Sequence, residues 1–122
     1  MGASKRILIV DDHRNVRTGI TFALKLFPDL LIVGEASNGI DALGLCQELH
    51  PDVVLMDLAM PDMDGVATTM LVHEWFPDIK VIAITASGRR SQAAQDVLKA
   101  GAVDCLQKFL SIDELVRVIH SA

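Results

Sequence analysis

Short apolar runs rich in β-branched residues alternate along the chain with stretches of helical periodicity. Arg6 to Val10, Leu30 to Glu35, Val53 to Met56, Lys80 to Ile84 and Ala102 to Leu106 are each four to six residues long, the length and composition of strands buried on both faces. Between them, Val16, Ile20, Ala23, Leu24 and Phe27 form one helical stripe, and Ala42, Leu43, Cys46 and Leu49 a second. Ile112, Leu115, Val116 and Ile119 form a third, and the segments after Gly65 and Arg90 read as helices with weaker patterns. Turn chemistry agrees: Ser37-Asn38-Gly39 and Asp64-Gly65 precede predicted helices, and Pro28, Pro51 and Pro77 are each followed by Asp. A strict βα alternation with short connections predicts an α/β fold, a (βα)5 doubly wound parallel sheet with helices on both faces. In such sheets ligands bind beyond the carboxyl ends of the strands, where the strand order reverses.

Composition narrows the reading. The 122 residues, 51% hydrophobic and 22% charged, suit a single globular domain over 1–122, with its core over 6–120 and no output domain, repeat or linker. Sixteen acidic against 11 basic residues give a formal net charge of -5, which argues against direct nucleic-acid binding or an anionic membrane. Aromatic content of 4% offers no base-stacking platform. The strongest apolar runs, Ile7–Val10, Val53–Met56 and Val81–Ile84, are each four residues long, against about 20 for a membrane span. No long apolar stretch follows Lys5-Arg6, and Arg6 stands where a myristoylation motif wants Ser or Thr, so the expected location is cytoplasmic. Cys46 and Cys105 lack CxxC spacing and read as buried, reduced thiols.

The residues just past the strands carry the chemistry. The first strand runs into Asp11-Asp12, the third into Asp57, the fourth into Thr85 and the fifth toward Lys108. A strand order of 2-1-3-4-5 would gather three carboxylates, a hydroxyl and an ammonium at one edge. Three carboxylates in one crevice repel, and without a cation at least one is driven toward its protonated form. Oxygen-only ligands favour a hard ion such as Mg²⁺, which keeps positions free for water and phosphate oxygens. Mg²⁺ and Lys108 would together cancel the three carboxylate charges, leaving little net repulsion against a phosphoryl group. Lys108 suits one phosphate oxygen as a point charge and Thr85 can donate to another, while a carboxylate can attack phosphorus.

Taken singly, Asp12 reads equally well as a helix N-cap, Thr85 as a capping hydroxyl and Lys108 as a solvated charge. Asp57 fits a cap less well, because Pro61 and the Asp64-Gly65 turn separate it from the next helix. The joint placement points to phosphate chemistry. His13 adjoins the acidic pair, but Mg²⁺ prefers oxygen, so a solvated helix-start residue is the simpler reading. His50, His73 and His120 read as surface residues, Asp62 and Asp64 as turn and cap residues, and Arg89-Arg90 as a loop pair that senses phosphate or is merely solvated.

In combination, Val10-Asp11-Asp12, Asp57 with Met60-Pro61 and Met63-Asp64-Gly65, Thr85-Ala86, and Ala100-Gly101-Ala102 ahead of Lys108 resemble the receiver domain of two-component response regulators, from Ile7 to His120. The resemblance implies the flavodoxin-like (CheY-like) order 2-1-3-4-5 and a phosphoacceptor Asp57 served by a sensor histidine kinase. It implies Mg²⁺ held by Asp12, Asp57 and the backbone carbonyl of Ala59, with Asp11 acting through water. Thr85 and Lys108 would contact the phosphoryl oxygens, and small Ala86 would leave the site open. Asp12-His13 with Arg17 and Gly19, and Lys108 without a following Pro, are most similar to regulators that carry a LuxR/NarL-type helix-turn-helix for transcription regulation. Family members often form a homodimer through the fourth helix, fifth strand and fifth helix.

Two positions depart from the family pattern. Cys105 stands where the family has the Tyr or Phe of its switch, and Phe109 replaces the frequent Pro after Lys108. A cis Lys108–Phe109 peptide would cost about 2.5–4 kcal/mol without Pro. Three other readings stay open: a phosphorylation-independent interaction module, to which Cys105 lends support, a Mg²⁺-dependent phosphohydrolase, which the absence of Asp-x-Asp after a strand disfavours, and a flavodoxin, for which no Ser/Thr/Gly-rich phosphate loop follows the first strand.

Overall fold

Continuous apolar strands flanked by amphipathic segments can bury both faces only in a three-layer arrangement, and the chain adopts one. A computed structural model describes residues 4–60, 64–88, 90–108 and 111–122. In chain order the elements are β1 (Lys5–Val10), α1 (Arg14–Leu24), β2 (Leu30–Ala36), α2 (Gly39–Leu49), β3 (Val53–Asp57), α3 (Gly65–Trp75), β4 (Lys80–Thr85), α4 (Gln92–Ala100), β5 (Asp104–Gln107) and α5 (Ile112–Ser121). The sheet order is β2-β1-β3-β4-β5 and every pairing is parallel. The predicted doubly wound fold is therefore present.

Strand alternation divides the core in two. Leu8, Val10, Val54, Met56, Val81, Ala83 and Cys105 pack with Ala42 and Cys46 of α2, Val72 of α3, and Ala94 and Val97 of α4. On the other face Ile7, Ile9, Val53, Leu55, Ile82, Ile84 and Leu106 pack with Leu24 of α1 and Leu115, Val116 and Ile119 of α5. The α1 stripe is only half covered: Leu24 is buried, whereas Val16, Ile20 and Ala23 line a groove of about 420 Å³ against α5. Both cysteines are free and buried, and burial pushes the Cys46 thiol up to about 11, so it behaves as a small apolar residue.

The strand bounds differ from the sequence reading by at most one residue, except at the start of β5. β5 begins at Asp104, not Ala102, because Gly101 (φ 122°) ends α4 and the Ala102 N–H donates back to Val97 O. Ala102 thus belongs to the helix cap, and Val103 only bridges to Val81 O before the ladder starts.

Candidate functional site

The ladder sets the site. Val10 pairs with Met56 and Asp57 with Ile84, so the residues that end β1, β3 and β4 reach the same edge of the sheet. Backbone bonds carry the order one step further: Asp11 N donates to Ala36 O, Leu58 N to Ile84 O, and Lys108 N to Thr85 O at 2.7 Å. Main-chain bonds therefore fix the backbone of Asp11 and Lys108 independently of their side-chain contacts. Gly65, at the start of α3, lets that helix approach β3: an added Cβ would lie 2.3 Å from Asp57 O and 2.7 Å from Leu58 Cα. The side chain of Asp64 caps α3 through the Ala67 N–H, as the sequence suggested.

Asp11, Asp57 and Lys108 meet at this edge of the sheet. Lys108 Nζ lies 3.3 Å from Asp57 Oδ1 and 3.6 Å from Asp11 Oδ2, and the Asp57 side chain is only 2% exposed. Ala59 N donates to Asp57 Oδ1 at 3.3 Å. Burial pushes the Asp57 carboxyl above its ordinary range and the negative charge of Asp11 adds to this, while the Ala59 N–H and Lys108 pull it back down. Arg17, named in the sequence only for its similarity to one subfamily, ties the rim together: its Nη1 donates to Asp11 O at 2.6 Å and its Nε to Glu35 at 3.0 Å. Glu35 at the end of β2 is the partner that pairing of β2 with β1 supplies.

Asp12 and His13 complete the cluster. Among the described residues, Asp11, Asp12, His13 and Asp57 each place one potential ligand atom within 4.8 Å of the others. Buried Asp57 Oδ2 has no hydrogen-bond partner, and Asp12 Oδ1 lies 3.0 Å from His13 Nδ1. An orphaned acceptor beside two further carboxylates is part of a donor set that a divalent cation would satisfy, so the residues fit a metal. Thr85 is buried at the end of β4 beside Ile84, and its hydroxyl oxygen accepts from Ser87 N at 3.1 Å, which leaves its own hydrogen free to turn. Ala86 is exposed.

The other candidates stand apart. Cys105 is 3% exposed and packs on the α2–α4 side of the sheet, as a small buried residue should. His50, His73 and His120 are exposed; His120 Nε2 meets Asp29 at 2.7 Å, at the far end of α5. The mainly apolar groove between α1 and α5 touches the acidic cluster only through Lys108 and offers no carboxylate. Pro61, Asp62, Met63, Arg89, Phe109 and the Lys108–Phe109 peptide lie outside the described residues. No helix among the described residues is long and apolar enough to cross a membrane.

Comparison with known proteins points the same way as the geometry. Residues 7–120 match the response regulator receiver domain family. The response regulator GacA of Pseudomonas viridiflava is 41% identical over 115 residues, covering 94% of this chain and 53% of GacA. The transcriptional regulatory protein LiaR of Bacillus subtilis (strain 168) is 38% identical over 117 residues, covering 96% of this chain and 55% of LiaR. The chain spans about half the length of these curated relatives. The crystal structure of a LuxR-family two-component response regulator from Aurantimonas sp. SI85-9A1 superposes with a TM-score of 0.91 at 31% identity, over 98% of this chain and 84% of that one.

Proposed function

Because the chain belongs to the response regulator receiver domain family, we propose that it is a phosphorylation switch in which Asp57 takes a phosphoryl group from a phosphohistidine of a sensor histidine kinase. A carboxylate oxygen of Asp57 attacks phosphorus, the phosphorus–nitrogen bond breaks and the imidazole leaves with the electron pair. The product is an acyl phosphate, which water later hydrolyses to restore Asp57 and release inorganic phosphate. The chain thus acts on itself and needs no external substrate.

The observation that carries this reading is the buried Asp57 with one unpartnered oxygen, beside an ammonium, Lys108, that also reaches Asp11. Asp11, Asp12, Asp57 and the Ala59 carbonyl would hold Mg²⁺, which when bound neutralises charge on the transferring group. Lys108, already 3.3 Å from Asp57 Oδ1, supplies a donor for a phosphoryl oxygen, and the Thr85 hydroxyl supplies another. Positioning and charge cancellation then do most of the work, as expected where the protein contributes no covalent chemistry beyond the nucleophile.

The added charge would bias an equilibrium between two arrangements of the face formed by α4, β5 and α5, where Leu98 and Val103 are exposed and where a homodimer could form. With Cys105 in place of an aromatic ring, that bias would act through the Thr85 loop and not through a rotating side chain. By similarity to its relatives, the output would be transcription regulation by a LuxR-type helix-turn-helix outside these residues.

The test is mass spectrometry of intact protein after incubation with acetyl phosphate and Mg²⁺. One added phosphoryl mass on the wild type, absent from Asp57→Asn, is the expected result. Labelling that persists in Asp57→Asn, or turnover of phosphate esters by the wild type, would overturn the assignment. Failure of beryllofluoride to bind in the presence of Mg²⁺ would favour an interaction module that works without phosphate.

A further inference from the structure

His13 is the part of the acidic crevice that a magnesium site leaves unused. It stands at the N-cap of α1 with extended backbone, yet its side chain makes no capping bond. The equivalent positions of the other helices are filled by capping side chains, those of Asn38, Asp64, Ser91 and Ser111. The imidazole turns back over the carboxylates instead: Nδ1 lies 3.2 Å from Asp11 Oδ1 and 3.0 Å from Asp12 Oδ1. The Oδ2 of Asp57, whose side chain is 2% exposed, remains buried and without a hydrogen bond in the same cluster. One ligand atom from each of Asp11, Asp12, His13 and Asp57 therefore lies within 4.8 Å of the others.

We propose that His13 Nδ1 is a fourth ligand that makes this crevice a mixed nitrogen–oxygen site for a borderline divalent transition ion, of the Co²⁺ or Zn²⁺ class, in competition with Mg²⁺. The inference rests on the reading of the crevice as a cation site and adds the ion class and the ligand. Carboxylate and carbonyl oxygens serve Mg²⁺ well, and an imidazole adds little for so hard an ion. First-row transition ions gain from each nitrogen donor, so His13 shifts selectivity toward them without changing the oxygen set. Because the same three carboxylates serve both ions, occupancy is exclusive. The His13 side chain is 63% exposed and gives an ion a direct path from solvent to Nδ1.

Co²⁺ is the probe, since its bound histidines give paramagnetically shifted imidazole proton signals. CoCl₂ and MgCl₂ are titrated calorimetrically into the full chain and into His13→Gln, and the Co²⁺ complexes are examined by proton NMR. The ratio of Co²⁺ to Mg²⁺ affinity should fall on the order of tenfold or more in His13→Gln, with loss of the shifted imidazole signals. Excess Mg²⁺ should displace Co²⁺ competitively from the wild type. An unchanged ratio, imidazole signals that persist in His13→Gln, or simultaneous binding of both ions would overturn the proposal. Wild-type protein that binds Co²⁺ but not Mg²⁺ would count against the magnesium switch while leaving the His13 site standing.

Discussion

Asp57 occupies a position that opposes its ionised form. It is a carboxylate at 2% exposure with a second acid beside it, and one ammonium and one N–H oppose the desolvation. Its pKa in the folded chain lies above the ordinary value, so the stability it contributes is present in acid and lost as pH rises through the raised value. Asp57→Asn cannot ionise and avoids that loss. Without divalent cations the variant should melt above the wild type near neutral pH, and the gap should shrink as pH falls through the raised value toward the ordinary carboxylate range. Thermal melts across pH check this; a gap that widens in acid would refute it. At this scale the three carboxylates, Thr85 and Lys108 were legible in the sequence because each ends a strand, and short loops leave the side chains nowhere else to go. His13 and Arg17 were not, because no periodicity reports that a helix-start side chain turns back to Asp11, nor that Glu35 waits at the end of the neighbouring strand.

The elements are built from local signals that mostly agree. Four helices begin on a capping side chain, and the apolar stripes of α2 and α5 fall on their buried faces. β5 shows why boundaries are harder to read: Ala102 and Val103 have strand character, but Gly101 with φ 122° draws Ala102 into the α4 cap, a hydrogen-bonding choice that apolar pattern does not register. Two glycines separate packing from propensity. Gly44 sits inside α2 with nothing within 4 Å of an added Cβ, so Gly44→Ala should gain about 1 kcal/mol from helix propensity. Gly65 faces backbone atoms that cannot move aside, so Gly65→Ala should lose about 1–3 kcal/mol through overpacking. Since 1 kcal/mol is about 4 °C in a domain of this size, thermal unfolding should show opposite shifts. Gly65→Ala should also lower acetyl phosphate labelling, because the clash falls on Asp57 O itself.

For the whole molecule, the formal charge of -5 is not evenly spread. Three carboxylates gather at one sheet edge, where Lys108 is the ammonium within 4 Å of two of them. The opposite edge is closed by main-chain and long-range contacts, among them Lys5 Nζ to Ala122 O and Arg6 Nη1 to Leu49 O, both at 2.6 Å. The sheet connects the two ends, because β1, β3 and β4 contribute both the buried core and the residues of the site. A cation that binds only the folded edge therefore stabilises the entire sheet. At a Mg²⁺ concentration of 100 Kd the gain is about 2.7 kcal/mol, which corresponds to roughly 10 °C in Tm. Asp57→Asn removes a buried ligand and one charge, so its melting temperature should respond far less to the same addition. A sodium salt at matched ionic strength separates binding from screening, which damps interactions between exposed charges beyond roughly 10 Å and has little purchase on a buried cluster. Equal shifts in the two proteins, or an equal shift from sodium, would show that the acidic edge is a screened surface and not a cation site.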